Sequence, residues 1–361
     1  MRVAIVHDWL VGGGAEKVVL ELHRLFPGAP IYTSYATDVW KKKLGGKVVT
    51  GYLQNWPFSK LRKFIPFLRG LWFSRLKFDA YDLVISSSGA EAKFVKTGPG
   101  TKHIAYIHAP THYYWDRYDE YLKNPGFGAF DWLARLGLKI LVGPMRRWDY
   151  KAAQRPDRLI ANSSFTKSQI KKYYGRESVV IHPPVDIDTY KSLNKSSITR
   201  VGFVTAGRQA PYKRLDLAVA ACTKLNLPLT VIGDGPEHKK LKEMAGPTVK
   251  FTGHIPTDQI VEYFQSAEAF IFPGLDDFGV VAVEAIAAGC PVIALKAGGA
   301  LDYVQPGKNG YFFEKQTVDS LVQALSRFNL GHLSHEKISA SAQQFSVNNF
   351  QKNIRNYLDS I

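Results

Sequence analysis

Short apolar segments alternate with helix-like segments along the whole chain, and this alternation limits the fold more than any other feature of the sequence. Such alternation is typical of parallel β-sheets covered by helices. In the first half, the predicted strands are residues 3–6, 29–32, 82–85, 103–107, 158–161 and 178–181. This half is therefore predicted to be a doubly wound α/β domain.

The alternation stops near residue 182 and then begins again. Two prolines at 183 and 184 precede a polar run at 188–199, which has the composition of a linker. The later predicted strands are residues 201–205, 229–232, 249–252, 269–272, 291–294 and 310–313. We therefore expect two Rossmann-like domains, 1–187 and 188–345, with a C-terminal helix at 346–361 that returns to the first. Ligands of such sheets bind at the carboxyl ends of the strands, so two facing domains are expected to enclose a cleft.

Composition and local pattern exclude several classes of protein. The 361 residues are 45% hydrophobic and 22% charged, which is ordinary globular usage and excludes disordered, collagen-like and disulfide-stapled chains. Cys222 and Cys290 lie in apolar contexts without a CxxC pattern, which predicts buried, reduced thiols of a cytosolic protein. The N-terminus is predicted to be a strand and not a secretory signal. The most apolar helical stretch, residues 130–145, contains one acidic and two basic residues, so we do not expect it to cross a membrane.

The excess positive charge is concentrated in one segment. The net charge is +16, and residues 41–77 contain ten lysines or arginines and no acidic residue. The cations are Lys41, Lys42, Lys43, Lys47, Lys60, Arg62, Lys63, Arg69, Arg75 and Lys77, and the nearby aromatics are Tyr52, Trp56, Phe58, Phe64, Phe67, Trp72, Phe73 and Phe78. Cations interleaved with aromatics suit short helices in the headgroup region of an anionic membrane. Alternatively, the aromatics pack into the core and the cations form a solvated face. No nucleic-acid-binding pattern accompanies the charge, so nucleic acid is not an expected partner.

A glycine loop, Gly12, Gly13 and Gly14, separates the first predicted strand from a helix. Bare amides there can bind an anion or a sugar, although a tight turn alone also requires glycine. The spacing differs from G-x-G-x-x-G and the next strand ends in no acid, which disfavours an NAD site.

Cations gather where the first strand of the second half ends. Arg208 follows that strand, and Lys213 and Arg214 begin a predicted helix. Cations in a first helical turn oppose the helix dipole, whereas a bound anion would reverse the effect. We therefore predict a diphosphate site formed by helix-terminal amides with Arg208 and Lys213, the alternative being solvated surface cations.

Residues 273–289 combine acidic and apolar side chains. Asp276 and Asp277 lie in a loop, and Glu284 follows within an otherwise apolar helix. A carboxylate in such surroundings requires hydrogen-bond donors. The vicinal hydroxyls of a ribose would supply them.

Several motifs together resemble the retaining GT-B glycosyltransferases of the group-1 (family four) class. Asp276, seven intervening residues and Glu284 resemble the acid-x7-Glu signature of that class, whose first acid is normally glutamate. The remaining motifs are VHDWL at 6–10, DLVISSS at 82–88, HAP at 108–110, ANSS at 161–164, PPVD at 183–186, YKRLD at 212–216, GDGP at 233–236, DFG at 277–279 and AGCPVIA at 288–294. The similarity covers essentially the whole chain. It is strongest to GDP-mannose-dependent bacterial mannosyltransferases of O-antigen or exopolysaccharide synthesis.

The resemblance implies roles for individual residues. Arg208 and Lys213 would bind the donor diphosphate, Glu284 the ribose, and His108 would face the reacting sugar. Asp276, with Asp277 able to share its role, would contact the donor sugar together with Phe278 and Gly279. The residues that would line the nucleotide are Gly233, Asp234, Gly235 and His254, while Gly12, Gly13 and Gly14 would close on the diphosphate or the acceptor.

The expected activity is transfer of a hexose, mannose from GDP-mannose in the first instance, to a lipid-linked or polysaccharide acceptor at the cytosolic membrane face. No cofactor or metal is expected. His103, His108 and His112 are near zinc-ligand spacing, but Pro110 prevents one helical face from presenting them. The alternatives are a non-catalytic nucleotide-sugar-binding protein and, less favoured, a nucleic-acid-binding protein.

Overall fold

The computed structural model describes residues 1–61, 65–126, 128–191, 200–331 and 333–361. The chain forms two compact units. Unit 1 is Met1–Pro183 with Asn353–Ile361, and unit 2 is Pro184–Lys352. The division falls close to the predicted boundary at residue 187, and residues 192–199 of the predicted linker lie outside the described residues.

Unit 1 contains a seven-stranded sheet in the order β3-β2-β1-β4-β5-β6-β7, with every neighbouring pair parallel. Its strands are β1 (Val3–His7), β2 (Ile31–Thr33), β3 (Val48–Thr50), β4 (Leu83–Ser88), β5 (Lys102–Ile107), β6 (Arg158–Ala161) and β7 (Val179–Val180). Its helices are α1 (Ala15–Leu25), α2 (Asp38–Lys43), α3 (Phe58–Leu61), α4 (Pro66–Arg75), α5 (Tyr118–Lys123), α6 (Asp131–Ala153) and α7 (Ser164–Tyr174). The predicted doubly wound architecture is confirmed for this unit.

Unit 2 contains a six-stranded parallel sheet in the order β10-β9-β8-β11-β12-β13. Its strands are β8 (Phe203–Ala206), β9 (Leu229–Ile232), β10 (Val249–Gly253), β11 (Ala269–Phe272), β12 (Val292–Leu295) and β13 (Gly310–Phe313). The helices are α8 (Ile187–Lys191), α9 (Leu215–Lys224), α10 (His238–Glu243), α11 (Thr257–Ser266), α12 (Val280–Ala287), α13 (Val318–Arg327), α14 (His335–Ser341) and α15 (Val347–Asp359), the last of which ends in unit 1. Central strands such as β8, β11 and β12 are wholly buried, because helices cover both faces of a parallel sheet. The second Rossmann-like fold is confirmed.

The aromatic side chains of the basic segment 41–77, predicted to face a membrane, divide between the core and the surface. Val48–Thr50 forms the edge strand β3, which the sequence analysis did not predict. Trp72, Phe73 and Phe78 are buried in the core of unit 1. Trp56, Phe58 and Phe67 are exposed, and Arg62, Lys63 and Phe64 lie outside the described residues.

Arg69, predicted to be a surface cation, is buried and forms an ion pair with the buried carboxylate of Glu91. It also donates a hydrogen bond of 2.8 Å to the Tyr113 hydroxyl. The prediction is wrong. A charged side chain can be buried only with a partner of opposite charge, and the sequence pattern does not show this partner because Glu91 is distant in the sequence.

Both cysteines are free and buried, and burial raises the pKa of each thiol to about 12. The prediction of buried, reduced thiols is confirmed. Among the described residues, none of the helices combines the length and the apolar composition that crossing a bilayer requires.

Candidate active site

Two loops at the carboxyl ends of β8 and β9 pack backbone against backbone in unit 2. The Gly207 amide donates to the carbonyl of Ile232 at 3.0 Å, and the Gln209 amide donates to that of Asp234 at 2.9 Å. A Cβ added at Gly233 would lie 2.3 Å from the Gly207 carbonyl oxygen. Glycine is therefore required for the two loops to approach this closely.

A cavity of about 570 Å³ lies against these loops. Arg208, Asp234, Gly235 and His254 line it, and all four residues follow strands β8, β9 or β10. The Arg208 side chain is exposed, so its guanidinium is accessible to an anion. The structure thus brings together four residues that the sequence analysis assigned to the donor.

Lys213 and Asp276 form an ion pair. Lys213 ends a short 3₁₀ turn after β8, and Asp276 lies in the loop after β11. Their side chains retain 21% and 11% of their exposure, so the pair is accessible at one side. The predicted diphosphate cation and the predicted sugar-contacting acid are therefore neighbours.

Arg214 does not share the role of Lys213. Helix α9 begins at Leu215, and Arg214 precedes it with a left-handed φ of 52°. Its guanidinium lies 3.0 Å from the carboxylate of Asp216, an acid in the first turn of α9. The first turn therefore contains an acid that is favourable to the helix dipole, which leaves Arg208 and Lys213 as the cations of the candidate anion site.

Glu284 is buried on α12, surrounded by alanine, valine and isoleucine side chains. Tyr190 of α8 donates a hydrogen bond to the Glu284 carboxylate. Burial, and to a lesser extent the negative charge of Glu284, raises the pKa of the Tyr190 hydroxyl. Sequence reasoning missed Tyr190 because it assigned residues 188–199 to a polar linker. The tyrosine within that polar run was the one available signal.

The loop that contains Asp276 and Asp277 is held by Phe278 and Gly279. The Phe278 ring is buried against the rings of Tyr303 and Phe345, so any donor contact from this residue would come from its backbone. Gly279 has a φ of 94°, and a Cβ there would lie 2.7 Å from Phe272 and Tyr303 atoms. Only glycine fits this turn.

In unit 1, three polar side chains meet at the carboxyl ends of adjacent strands. The Ser87 hydroxyl at the end of β4 lies 2.7 Å from Nε2 of His108, which follows β5. Nδ1 of His7, at the end of β1, lies 2.9 Å from the Ser87 carbonyl oxygen. The sequence analysis selected His108 alone, and the strand order β1-β4-β5 explains why the other two accompany it.

Asp8, next to His7, is also buried and accepts three backbone hydrogen bonds. The donors are the amides of Gly89, Ala90 and Ala92, at 2.7–2.9 Å. Asp8 thereby fixes the segment that follows β4, adjoining the Ser87 and His108 pair.

The glycine loop is less bare than predicted. The Gly12 amide donates to the buried Glu16 carboxylate at 2.8 Å, and the Val11 amide donates to the same oxygen at 3.3 Å. Gly12 has a φ of 124°, which favours glycine. A carboxylate at this position disfavours a second anion and leaves Gly13 and Gly14 as the better candidates for contact with a neutral hydroxyl.

The three histidines near zinc spacing have different partners. His103 is buried with Nε2 at 2.9 Å from the Ser86 hydroxyl, and burial lowers its pKa to about 3. His108 contacts Ser87, and His112 lies 2.9 Å from Asp116.

Comparison with known proteins assigns both halves of the chain. Residues 12–189 match the family model described as Glycosyltransferase Family 4. Residues 188–345 match the model described as Glycosyl transferases group 1.

Two curated relatives are glycosyltransferases with different names. A GDP-mannose-dependent alpha-mannosyltransferase of Corynebacterium glutamicum is 30% identical over 169 residues, which are 46% of this chain and 38% of the relative. A D-inositol 3-phosphate glycosyltransferase of Streptomyces avermitilis is 27% identical over 205 residues, 48% of this chain and 44% of the relative. The chain therefore spans less than half the length of these two relatives.

Solved structures resemble the whole chain in fold. HepE of Anabaena in complex with UDP has a TM-score of 0.72 at 18% identity, with both chains fully covered. The apo form of the lipopolysaccharide outer core galactosyltransferase WaaB has a TM-score of 0.68 at 19% identity, covering 100% of this chain and 99% of that chain. These similarities, with the two parallel sheets, confirm the GT-B fold. The chain consists of a family 4 glycosyltransferase domain followed by a group 1 glycosyltransferase domain.

Proposed function

We propose that this protein is a retaining glycosyltransferase that moves a hexose from a nucleoside diphosphate sugar to a lipid-linked or polysaccharide acceptor at the cytosolic membrane face. The observation that carries the proposal is the cavity of about 570 Å³ at the strand ends of unit 2, which the exposed Arg208 lines. A guanidinium beside glycine-built loops is suited to a diphosphate.

The departing diphosphate is the group that unit 2 is equipped to stabilise. As the bond between the sugar anomeric carbon and the diphosphate oxygen breaks, negative charge grows on the diphosphate. Arg208 and Lys213 offset that charge, and Asp276 holds Lys213 in position. The acceptor hydroxyl forms the new bond to the anomeric carbon, and its proton passes to a phosphate oxygen of the leaving group.

Donor affinity comes from the nucleoside side. Glu284, oriented by the Tyr190 hydroxyl, accepts the ribose hydroxyls, and the segment Gly233 to Gly235 with His254 lines the base. In unit 1, His108 faces the reacting sugar and Gly13 and Gly14 contact the acceptor. We propose that no metal ion or cofactor takes part, and we expect activity to be unchanged by EDTA; loss of activity in EDTA would contradict this.

The donor is GDP-mannose in this proposal. The mannosyltransferase relatives carry that donor in their names, whereas HepE is described with UDP and with UDP-glucose. The two bases differ in size and in hydrogen-bonding edge, so binding distinguishes them.

A thermal-shift panel of GDP, UDP, ADP and their sugars tests the proposal. A ligand that binds only the folded state raises the melting temperature by mass action. We expect GDP and GDP-mannose to give the largest shifts, and GDP release from GDP-mannose with a lipid-linked acceptor. A larger shift with UDP would identify a UDP-sugar as the donor in place of GDP-mannose. No shift with any nucleotide would overturn the proposed function. Binding without release of nucleoside diphosphate would indicate a non-catalytic nucleotide-sugar-binding protein.

A further inference from the structure

Helix α6 of unit 1 is buried at its C-terminal end and only partly covered along residues 131–144. Its buried residues are Met145, Asp149, Ala152 and Ala153, and none of residues 131–144 is buried. Asp149 anchors the packed end through an ion pair of 2.7 Å with Lys93, which is itself buried. Along the first part of the helix, some side chains are partly covered and the others are exposed, and Arg135 donates to the Leu122 and Lys123 carbonyls of α5.

The exposed surface of this first part is largely apolar. Trp132, Leu133, Leu136 and Ile140 are each 48–64% exposed, and Phe130 before the helix is 62% exposed. At 3.6 residues per turn, these four residues fall within an arc of about 100°, whereas Leu141, which is 50% exposed, lies outside it. By the same geometry, this arc lies opposite the face that contains the buried residues.

Cations continue the same face toward the packed end. Arg147 and Lys151 are exposed and fall within the arc that contains Leu136 and Ile140. Lys139 borders the arc. The exposed face thus changes from apolar to cationic along one helix.

The acidic residues of α6 lie away from this face. Asp149 is buried. The Asp131 carboxylate lies 3.9 Å from the Arg135 guanidinium, and by helical spacing both residues fall outside the exposed apolar arc. An apolar surface that contains tryptophan and adjoins exposed cations matches an anionic lipid surface, where apolar side chains enter the acyl boundary and cations meet phosphates.

We propose that the exposed face of α6, residues 132–151, docks this protein on an anionic lipid bilayer. This inference rests on the proposed function, because docking would hold the enzyme beside a lipid-linked acceptor. The docking role is thereby assigned to α6 in place of segment 41–77. Trp132, Leu133, Leu136 and Ile140 enter the headgroup region, and Arg147 and Lys151 bind lipid phosphates.

A second copy of this chain fits the face less well. A parallel pair of α6 helices would bring Arg147 and Lys151 of both copies together. An antiparallel pair would set these cations against the apolar part of the other copy. Either arrangement leaves charges repelled or desolvated, which opposes association.

Co-sedimentation of the full chain with phosphatidylcholine vesicles, with and without phosphatidylglycerol, tests the proposal. We expect partitioning that requires the anionic lipid and weakens with salt. The triple variant Trp132→Ala/Leu136→Ala/Ile140→Ala should lose at least about tenfold in partitioning. Its matched control, Trp56→Ala/Phe67→Ala, removes exposed aromatics of segment 41–77 and should retain binding.

The charge contribution is tested in the same assay. Arg147→Gln/Lys151→Gln should reduce partitioning roughly 20–30-fold, because each cation near an anionic surface contributes about 1 kcal/mol. The control Lys42→Gln/Lys77→Gln removes two exposed cations of segment 41–77. It should change partitioning by about threefold at most, because salt screens the attraction between the membrane and charges distant from it.

Three outcomes would overturn the proposal: equal partitioning onto neutral vesicles, wild-type binding by the α6 variants, or an equal loss by the controls. A dimer in sedimentation velocity that the triple variant abolishes, without vesicle binding, would assign the face to a second copy and also overturn it. Nucleotide binding is measured separately on each variant. Vesicle binding without nucleotide binding would refute the proposed function alone.

Discussion

The two units have the same parallel-sheet architecture but use their charged residues differently. In unit 1, Arg69 with Glu91 and Lys93 with Asp149 form ion pairs whose side chains are at most 4% exposed. In unit 2, the Lys213 and Asp276 pair remains partly accessible and Arg208 is exposed. A charge near the strand ends therefore does not by itself indicate a binding site, because only an accessible charge can contact a ligand.

The largest expected effect comes from breaking a buried pair in unit 1. Asp149→Asn removes the charge opposite Lys93 and weakens hydrogen bonds that Asp149 accepts from Trp115 and Tyr174. Leaving Lys93 buried without a counter-charge should lower the free energy of unfolding by about 3–5 kcal/mol in urea titrations.

The matched control for that variant is Asp319→Asn. Asp319 forms an exposed pair with Lys224 at 2.9 Å, and its loss should cost less than about 1 kcal/mol. Equal destabilisation by the two variants would remove the distinction between buried and accessible charges.

The second effect is on catalysis in unit 2. Arg208→Ala and Lys213→Ala should each lower kcat by about 10²–10³, because each removes a charge that stabilises the departing diphosphate. The free energy of unfolding should change by less than about 1 kcal/mol for the exposed Arg208. Steady-state kinetics with the donor that the thermal-shift panel identifies measures the effect, and near wild-type turnover would refute the diphosphate assignment.

The third effect is on donor affinity. Glu284→Gln should weaken nucleotide and nucleotide-sugar binding alike by about 1.5–3 kcal/mol, since the ribose is common to both and bonds to a charged group are strong. Tyr190→Phe should have a smaller effect, about 1 kcal/mol, because it only orients the carboxylate. Calorimetric titration with GDP and UDP measures both, and unchanged affinity of the Glu284 variant would contradict the ribose role.

A further effect concerns pH and the core of unit 1. Burial lowers the pKa of His103 to about 3 from the usual 6.5, so the unfolded chain binds a proton between these values that the folded chain does not. The free energy of unfolding should therefore fall as the pH drops below 6.5, with His103 contributing at most about 1.4 kcal/mol per pH unit. His103→Gln should flatten that slope whatever its effect at neutral pH, and identical slopes would contradict the buried neutral state.

Most of the sheet architecture follows from the sequence, because strands buried on both faces are continuous apolar runs. The edge strand β3 escaped prediction since its three residues, Val48–Thr50, are only partly buried and lie within a cationic segment. Strand order, which brings His7 and Ser87 to His108, depends on pairing between distant segments.

The sequence did not reveal which aromatic residues face outward. Segment 41–77 and helix α6 both mix cations with aromatics, yet Trp72 and Phe73 are buried whereas Trp132 is exposed. Which side a residue faces depends on partners far along the chain, such as Glu91 for Arg69. Tyr190 was missed because its polar run resembles a linker and because its partner Glu284 lies in another helix.

The accessible cations of unit 2 are proposed to bind the diphosphate of a sugar donor. Titration of the wild type, Arg208→Ala, Lys213→Ala and the control Lys224→Ala with GDP, GMP, UDP and UMP tests this diphosphate site. We predict that a nucleoside diphosphate binds at least about tenfold more tightly than its monophosphate, a difference of about 1.4 kcal/mol, and that only Arg208→Ala and Lys213→Ala remove this preference. Equal affinity for diphosphate and monophosphate in the wild type, or an undiminished preference in both site variants, would contradict the claim.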